Sequence, residues 1–411
     1  MAATERGDRF GFGWRPALAA GILAHCDRVD VIEALADDWL DAGRADVRAL
    51  ATLAVQVPVT LHGVSLGLAS AYPVEGRRLD AWARLVERVR PEAWSEHLAF
   101  VRGDGREIGH LAAPPRADAT LAGLAANVAR ARAVVGTAPL LENVATLVEP
   151  PGSDRDEATW LAEVVAVTRA PLLLDLHNLH ANAVNFGFDA AAMLRRLPLA
   201  SVAQVHLAGG RWVRAAGGER RVLDDHRHDV PDAVFTLLET LATLAPGPLT
   251  VILERDGAFP PMSALLEELD RARAAVARGR ARRGLITSRH DAVASSLIDM
   301  GGPQIAPPPP QAAGTMRDPD PNDALESASA SSFWTARAET LLARLYVDAD
   351  ARAAFVADPR AVTAAAGLGR GEAAALAALD RTGLELAAKS FAAKRAHAPR
   401  RRSWLRRLSA R

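Results

Sequence analysis

Eight short apolar runs recur along the first 280 or so residues and alternate with longer amphipathic segments. A short apolar run bounded by turn residues is typical of a strand that is buried on both faces. The alternation of such strands with helical segments predicts βα units and a parallel sheet. The eight runs are 11–14, 29–33, 57–62, 93–98, 139–143, 171–175, 202–207 and 249–254.

The segments between these runs carry apolar residues at three- and four-residue spacing, which is the period of a helix. Eight strand–helix units in about 280 residues favour a closed barrel over an open doubly wound sheet. An open sheet would normally carry a longer Gly-rich turn than Gly11-Phe12-Gly13 after its first strand. We therefore expect an α/β fold, a TIM (β/α)₈ barrel over residues 1–285. Its helices are predicted over 79–89, 117–135, 156–169, 189–197 and 232–244.

The pattern changes after the barrel. Residues 286–330 are predicted to be a Pro-rich linker, because they contain Pro307–Pro310 and few periodic apolar positions. Residues 331–394 regain helical spacing, and Asp358-Pro359 is a typical helix start. A small all-α domain is therefore predicted there, followed by a basic tail over residues 395–411.

Composition excludes several classes of protein. The chain has 49 basic and 49 acidic residues, so no global field attracts nucleic acid. Its one cysteine, Cys26, cannot form an intramolecular disulfide. No apolar run approaches the ~20 residues of a membrane span, and the polar first residues do not resemble a signal peptide. We expect a cytoplasmic protein with neither a membrane nor a nucleic-acid partner.

Six predicted strands finish in a side chain that can bind a metal ion. All strands of such a barrel are parallel, so these ends should meet on one rim, where barrel active sites are built. Burying so many polar groups without partners would be costly, and a shared cation removes that cost. The six residues are His62, His97, Glu142, Asp175, His206 and Glu254.

Two further segments, 175–185 and 224–229, add possible ligands in what we expect to be loops. Asp224 and His226 are two residues apart, so they would point the same way in an extended stretch. His228 would extend that face, or would be a solvent-facing loop histidine. Imidazole and carboxylate without thiolate suit iron, manganese or zinc, and the candidates outnumber the ligands of a single zinc site. The residues alone therefore imply two or three ions and leave the metal open.

At these positions the chain resembles the multinuclear non-heme iron-dependent oxidative enzymes, a family long catalogued as a domain of unknown function. The similarity covers roughly residues 8–280 and keeps the order and spacing of the motifs. The matching segments are 11–15, 61–66, 95–98, 141–143, 174–178, 182–185, 206–209, 224–226 and 253–256.

The resemblance implies a barrel that holds two or three iron ions and uses O₂ to modify a ribosomally made precursor peptide, often at cysteine. The oxidative mechanism that it implies needs a proton carrier, for which Glu254, Asp225 and His228 are the alternative candidates. Many relatives work with a partner protein that recognises the leader peptide, and the C-terminal helical domain is a candidate for that role in cis. The implied metal ligands are His62, His97, Glu142, Asp175, Asn178, His206, Asp224, His226 and Glu254.

Three residues are candidates for contact with the peptide: Arg15, Arg255 and His180. A structural salt bridge is an equally good interpretation for the two arginines. His180 stands where the family is expected to have an aromatic residue, which leaves its role open.

Two other classes of function fit a barrel with such strand ends. One is a zinc or manganese isomerase, or a hydrolase resembling the metal-dependent endonucleases. The balanced charge argues against a nuclease, and the absence of lysine from residues 1–280 argues against an isomerase. The other is a non-enzymatic metal- or peptide-binding protein, which would have a closed coordination shell and consume no O₂.

Overall fold

The computed structural model describes residues 7–299 and 334–408, with side chains described up to residue 286 and from 334 to 396. Most of the predicted linker lies outside these ranges. The strands in chain order are β1 (Arg9–Trp14), β2 (Val31–Leu35), β3 (Val59–Gly63), β4 (Ala93–His97), β5 (Phe100–Gly103), β6 (Arg106–Ala112), β7 (Leu140–Glu142), β8 (Leu172–Asp175), β9 (Val202–Leu207), β10 (Gly210–Arg214), β11 (Arg220–Asp224) and β12 (Thr250–Leu253).

Eight of these strands close into a parallel barrel in the order β1-β12-β9-β8-β7-β4-β3-β2. They coincide with the eight predicted runs, so the barrel prediction is confirmed. Closure places Phe12 of β1 between Ile32 of β2 and Leu253 of β12. The approach of β1 to β2 requires Gly11, because a Cβ atom there would lie 1.7 Å from the carbonyl oxygen of Val31.

Helices cover the outside of the barrel, and the five predicted helices are all found. Asp156 and Asp189 cap two of them by accepting hydrogen bonds from backbone amides in the first turn. The barrel-segment helices are α1 (Ala19–Ala24), α2 (Arg44–Gln56), α3 (Gly76–Val89), α4 (Asp118–Val135), α5 (Glu157–Thr168), α6 (Leu176–Phe186), α7 (Ala190–Arg196), α8 (Asp232–Leu244) and α9 (Met262–Asp299).

Three local features differ from expectation. The segment after Asp175 is the helix α6 rather than a loop, because the Asp175 side chain caps it by accepting a hydrogen bond from the amide of Asn178. Two antiparallel hairpins, β5–β6 and β10–β11, were not predicted. They directly follow the barrel strands β4 and β9, respectively, in the chain. The helix α9 runs past residue 285, the expected end of the barrel segment, to Asp299.

Five helices follow the undescribed segment, which confirms the helical character predicted for this region. Asp358 caps α12 by accepting a hydrogen bond from the amide of Ala361, as the Asp-Pro pair predicted. The last helix continues through most of the predicted basic tail. They are α10 (Ala336–Val347), α11 (Ala349–Ala357), α12 (Pro359–Ala365), α13 (Arg370–Ala377) and α14 (Arg381–Leu408).

These C-terminal helices pack on the rim of the barrel at the C-terminal ends of its strands. Phe100 and Ile108 of the hairpin β5–β6 share one buried apolar cluster with Leu342, Phe355 and neighbouring helical residues. Burying apolar surface on both sides stabilises this contact. Polar bonds add to it, including an ion pair of 2.5 Å between Arg221 and Asp380. The helical segment therefore lies on the face where the candidate ligands converge.

None of the helices in the described ranges combines the length and the apolar character that a membrane crossing requires.

Candidate metal centre

The strand-end residues converge inside the C-terminal mouth of the barrel. Each comes from a different strand or from the residue just after one, and side-chain alternation turns all of them inward. Every one is at most 6% exposed. The converging residues are Glu33, His62, His97, Glu142, Asp175, His206 and Glu254.

Glu142 lies at the centre of one half of the cluster. Its Oε2 atom is 3.4 Å from Nε2 of His62 and 3.2 Å from Nε2 of His97, and its Oε1 atom is 3.4 Å from Nδ1 of His206. Neither carboxylate oxygen has a hydrogen-bond partner, although the side chain is 0% exposed. A buried carboxylate without hydrogen bonds is costly, so this geometry suits a carboxylate that bridges cations.

The second half of the cluster is built around His226. Its Nδ1 atom is 3.0 Å from Glu254, and its Nε2 atom is 2.9 Å from Asp224 and 3.9 Å from Asp175. Oδ2 of Asp175 and Oδ1 of Asn178 are buried and have no hydrogen-bond partner. Asp224 and His226 do meet, although not through an extended stretch: His226 has φ 53°, a left-handed conformation that folds its ring back to the cluster.

Four overlapping groups of ligand atoms could each hold one ion among the described residues, since the atoms of each group lie within 4.8 Å of one another. Neighbouring groups share ligands, and two of the shared residues, Glu142 and Asp175, are carboxylates that could bridge adjacent ions. Together with the partnerless oxygens, this donor set of imidazole and carboxylate fits a multinuclear metal centre. The groups are Glu33–His62–His206, His62–His97–Glu142, Glu142–Asp175–His206 and Asp175–His226–Glu254.

The pKa values of the cluster residues reflect the crowding of carboxylates around them. Burial lowers the pKa of His206, but Glu33, Glu254 and Glu142 overcome this and hold it well above its usual range. Burial likewise opposes protonation of His226, and the nearby carboxylates of Asp224 and Glu254 again raise its pKa well above normal. Burial raises the pKa of Asp175 to about 7. Protons therefore stabilise the cluster where cations would otherwise do so.

Outer hydrogen bonds orient the ligand rings. Nδ1 of His97 donates to the carbonyl oxygen of Gly63 at 3.0 Å, and Nδ1 of His62 lies 2.8 Å from the Ser95 hydroxyl. Both Nε2 atoms consequently face Glu142. Nδ1 of His177 lies 2.7 Å from Asp224. Such contacts fix the ring orientation and the tautomer of metal-binding histidines.

The residues predicted for proton transfer occupy different depths. Glu254 belongs to the cluster, whereas Asp225 and His228 are in none of the ligand groups. The carboxylate of Asp225 bonds to Nδ1 of His228 at 2.9 Å and lies 3.2 Å from Arg211. The His228 side chain is 46% exposed, so this pair lies between the centre and the solvent.

The two predicted peptide-binding arginines already have acidic partners. Arg15 binds Asp256 through two hydrogen bonds of 2.5 and 2.8 Å. Arg255 lies 3.0 Å from both Asp229 and Glu268. These contacts support the structural salt-bridge interpretation for both.

His180 is partly buried, with its ring centroid 6.2 Å from that of His177. Burial and His177 lower its pKa. This places His180 next to an outer residue of the centre rather than among the ligand groups.

Sequence reasoning missed two residues of this site. Glu33 ends the predicted run 29–33, and its Oε1 atom lies 2.8 Å from Nε2 of His206. The rule that identified the other strand ends applies to Glu33 as well. His177 lies within a segment that the sequence marked as rich in ligands, but no spacing rule indicated its bond to Asp224.

Two solved structures are similar to this chain at low sequence identity. L-ribulose 3-epimerase matches with a TM-score of 0.46 and 15% identity, covering 69% of this chain and 99% of that protein. Endonuclease IV from Thermus thermophilus matches with a TM-score of 0.40 and 19% identity, covering 65% and 98%.

Sequence relatives are much more similar to this chain. A UPF0276 protein of Bordetella bronchiseptica is 40% identical over 271 residues, which is 66% of this chain and 93% of the relative. A UPF0276 protein of Caulobacter vibrioides is 35% identical over 277 residues, or 66% and 96%. One from Streptomyces avermitilis is 38% identical over 270 residues, or 63% and 53%.

The model of one family spans all eight barrel strands. It matches residues 9–277 and is described as the RiPP precursor modification enzyme MbnB/TglH/ChrH, where RiPP denotes a ribosomally synthesised and post-translationally modified peptide. The matched range includes every member of the ligand groups. The chain belongs to this family of RiPP precursor modification enzymes.

Proposed function

We propose that this chain binds about two or three iron ions and uses O₂ to oxidise a ribosomally made precursor peptide at cysteine. The observation that carries the proposal is the buried rim cluster, in which carboxylate oxygens of Glu142 and Asp175 have no hydrogen-bond partner. Family membership supports a peptide substrate. The ligand chemistry alone fits iron, manganese or zinc, and the resemblance to the iron-dependent oxidative enzymes favours iron.

Each proposed ion can be matched to one set of ligands. His62, His97 and Glu142 would hold one ion, and Asp175, His226 and Glu254 another. Bound iron would supply one-electron transfer and the activation of O₂. Shared ligands of the remaining groups, with Asn178 and Asp224 beside them, would hold a further ion.

Protons must pass between the buried cluster and the solvent during an oxidation. Glu254 contacts His226 inside the cluster, and the neighbouring Asp225 is bonded to the half-exposed His228. We assign proton transfer to these residues, with Glu254 at the inner end and His228 at the outer end. His177 would keep Asp224 oriented toward His226 through the bond to its own Nδ1.

The peptide would approach from the rim that the C-terminal helices partly cover. These helices contact the hairpin β5–β6, so a leader peptide bound to them would lie on the same face as the metal centre. We propose that they recognise the leader in cis. Deleting residues 320–411 should then weaken binding of the precursor peptide, identified as a short Cys-containing product of a neighbouring reading frame. Unchanged affinity would contradict this role.

The metal proposal is tested on protein purified without oxygen and reconstituted with Fe(II). We expect about two or three iron ions per chain by atomic absorption, and O₂ consumption in the presence of the peptide. His97→Ala and Glu142→Gln should lose iron and abolish activity while the circular dichroism of the barrel is retained. Glu157→Gln is the matched control, because Glu157 is a buried carboxylate outside every ligand group.

Iron below about one ion per chain after reconstitution would argue against the proposal. Peptide modification by the zinc-loaded protein without O₂ would instead support a divalent-metal enzyme of another class. Wild-type turnover by Glu142→Gln would remove this residue from the centre.

A further inference from the structure

The hairpin β10–β11 leaves one backbone edge open near the metal centre. Trp212 is opposite Val222, but the amide and carbonyl of Val222 bond the side chain of Asn185 at 2.7 and 3.0 Å. Trp212 and Val222 therefore form a non-hydrogen-bonded pair, so the N–H and C=O of Trp212 point away from β11. By alternation, those of Arg214 do the same. Within the described part of the chain, none of these groups has a partner.

The outward face of the hairpin is aromatic and basic. Trp212, Arg214 and Arg220 share this face, because they are opposite one another or two residues apart. The Trp212 side chain is 51% exposed, and the Arg220 guanidinium lies 4.5 Å from the centre of its ring.

Two positive charges on this face are uncompensated. Arg214 is directly opposite Arg220, and like charges in that position destabilise a strand pair. No carboxylate of the described residues forms an ion pair with either arginine, since Glu219 pairs with Arg221 instead. An anionic ligand would remove the repulsion between the two arginines.

The open edge leads directly to the metal centre. β10 begins at Gly210, which is opposite Asp224, and Asp224 lies 2.9 Å from Nε2 of His226. Gly210 also packs on His177, because a Cβ atom there would lie 2.7 Å from the His177 ring. An extended chain paired with Trp212 would travel about 7 Å to reach Gly210.

We propose that the open edge of β10 binds an acidic, extended segment of the precursor peptide by strand addition and so directs the adjoining residue into the metal centre. This inference rests on the proposed function for the identity of the peptide. The backbone groups of Trp212 and Arg214 provide the pairing, and Arg214 and Arg220 bind carboxylates of the segment. The Trp212 ring supplies an apolar contact for a side chain between them.

The test measures binding without chemistry. Fluorescence anisotropy is recorded for the full-length, Fe(II)-reconstituted protein under nitrogen, with a labelled peptide of alternating valine and glutamate as the probe. The double variant Arg214→Glu/Arg220→Glu should weaken binding by at least about tenfold. The same variant should gain affinity for a probe of alternating valine and lysine, which the wild type should bind weakly.

A second pair of variants separates strand pairing from side-chain contact. Trp212→Val and Trp212→Pro both remove the ring, but only proline removes the outward N–H, and it spares the bonds to β11. The proline variant should bind about two- to tenfold more weakly than the valine variant. Equal affinities would overturn strand addition, and equal binding of both probes by the wild type would overturn charge selection.

The remaining outcomes are also decisive. Iron content should be unchanged in all three variants, because none alters a ligand. Absence of probe binding overturns this inference and leaves the iron and O₂ test of the proposed function standing. Dimerisation that Trp212→Pro abolishes, without probe binding, would assign the edge to a second copy of the chain and likewise overturn the inference. Probe binding with a failed iron test would retain the edge as a peptide site and remove the proposed chemistry.

Discussion

Replacing Glu339 by glutamine should change how the stability of this protein depends on pH. Glu339 of α10 is 1% exposed at the contact with the barrel rim. It accepts hydrogen bonds from the hydroxyl of Ser70 and from the amide of Ala71, the latter at 2.7 Å. Burial raises the pKa of Glu339 to about 7, although these two hydrogen bonds oppose the shift. The folded state therefore binds this proton more tightly than the unfolded state.

The sign and size of the effect follow from this pKa. An unperturbed glutamate side chain has a pKa of 4.5, so the shift to about 7 corresponds to about 3 kcal/mol of folding free energy. The full stabilisation of the protonated form is present below about pH 4.5 and is lost as the pH rises to about 7. Glu339→Gln keeps an acceptor for Ala71 and cannot ionise, so it should not show this loss.

Urea unfolding in the presence of a chelator measures the free energy of unfolding of both proteins between about pH 5 and pH 8. The wild type should lose stability relative to Glu339→Gln across this range, by up to about 3 kcal/mol. Glu385→Gln controls for the loss of one surface carboxylate, because the Glu385 side chain is 41% exposed and pairs with Lys389. A difference between wild type and Glu339→Gln that stays constant with pH would refute the reasoning.

Three further predictions concern the barrel and its centre. Metal affinity should fall on acidification, because His206 and His226 have raised pKa values and protons therefore compete with the metal for their rings. The fall should reach up to about tenfold per pH unit for each proton displaced. Fe(II) calorimetry in buffers of different ionisation enthalpy counts these protons. Ser95→Ala should reduce metal affinity about 10- to 100-fold with the fold retained, since it frees a ligand imidazole from its orienting bond; unchanged affinity in a metal titration would contradict that role. Gly11→Ala should prevent barrel closure, whereas Gly217→Ala, with open space around it, should not; near-native circular dichroism for Gly11→Ala would contradict the clash.

The barrel was predictable because its strands are buried on both faces and carry continuous apolar runs. The strand ends were informative for the same reason, since the closed sheet brings residues as distant as His62 and Glu254 to one rim. The hairpin β10–β11 was not predictable, because three of the five residues of β10 are exposed and no apolar alternation marks the strand.

Contacts between distant segments were also beyond the sequence pattern. The helical spacing over residues 331–394 predicts that these helices have a buried face but does not indicate which surface covers it. Glu339 and Ser70 are 269 residues apart, and their contact depends on how the complete rim is shaped. The convergence of Asp224 and His226 was predicted from an extended backbone, but it depends on the left-handed backbone of His226. A spacing of two residues does not reveal that conformation.

The apolar cluster that joins Phe100 and Ile108 to the C-terminal helices has a consequence for dilute conditions. A separate recognition subunit dissociates from its enzyme once both fall below their dissociation constant. Helices that belong to the same chain face the rim at a local concentration fixed by their covalent connection, whatever the amount of protein present. Their contact with the rim should thus survive at the lowest expression levels, with one helical segment for every barrel.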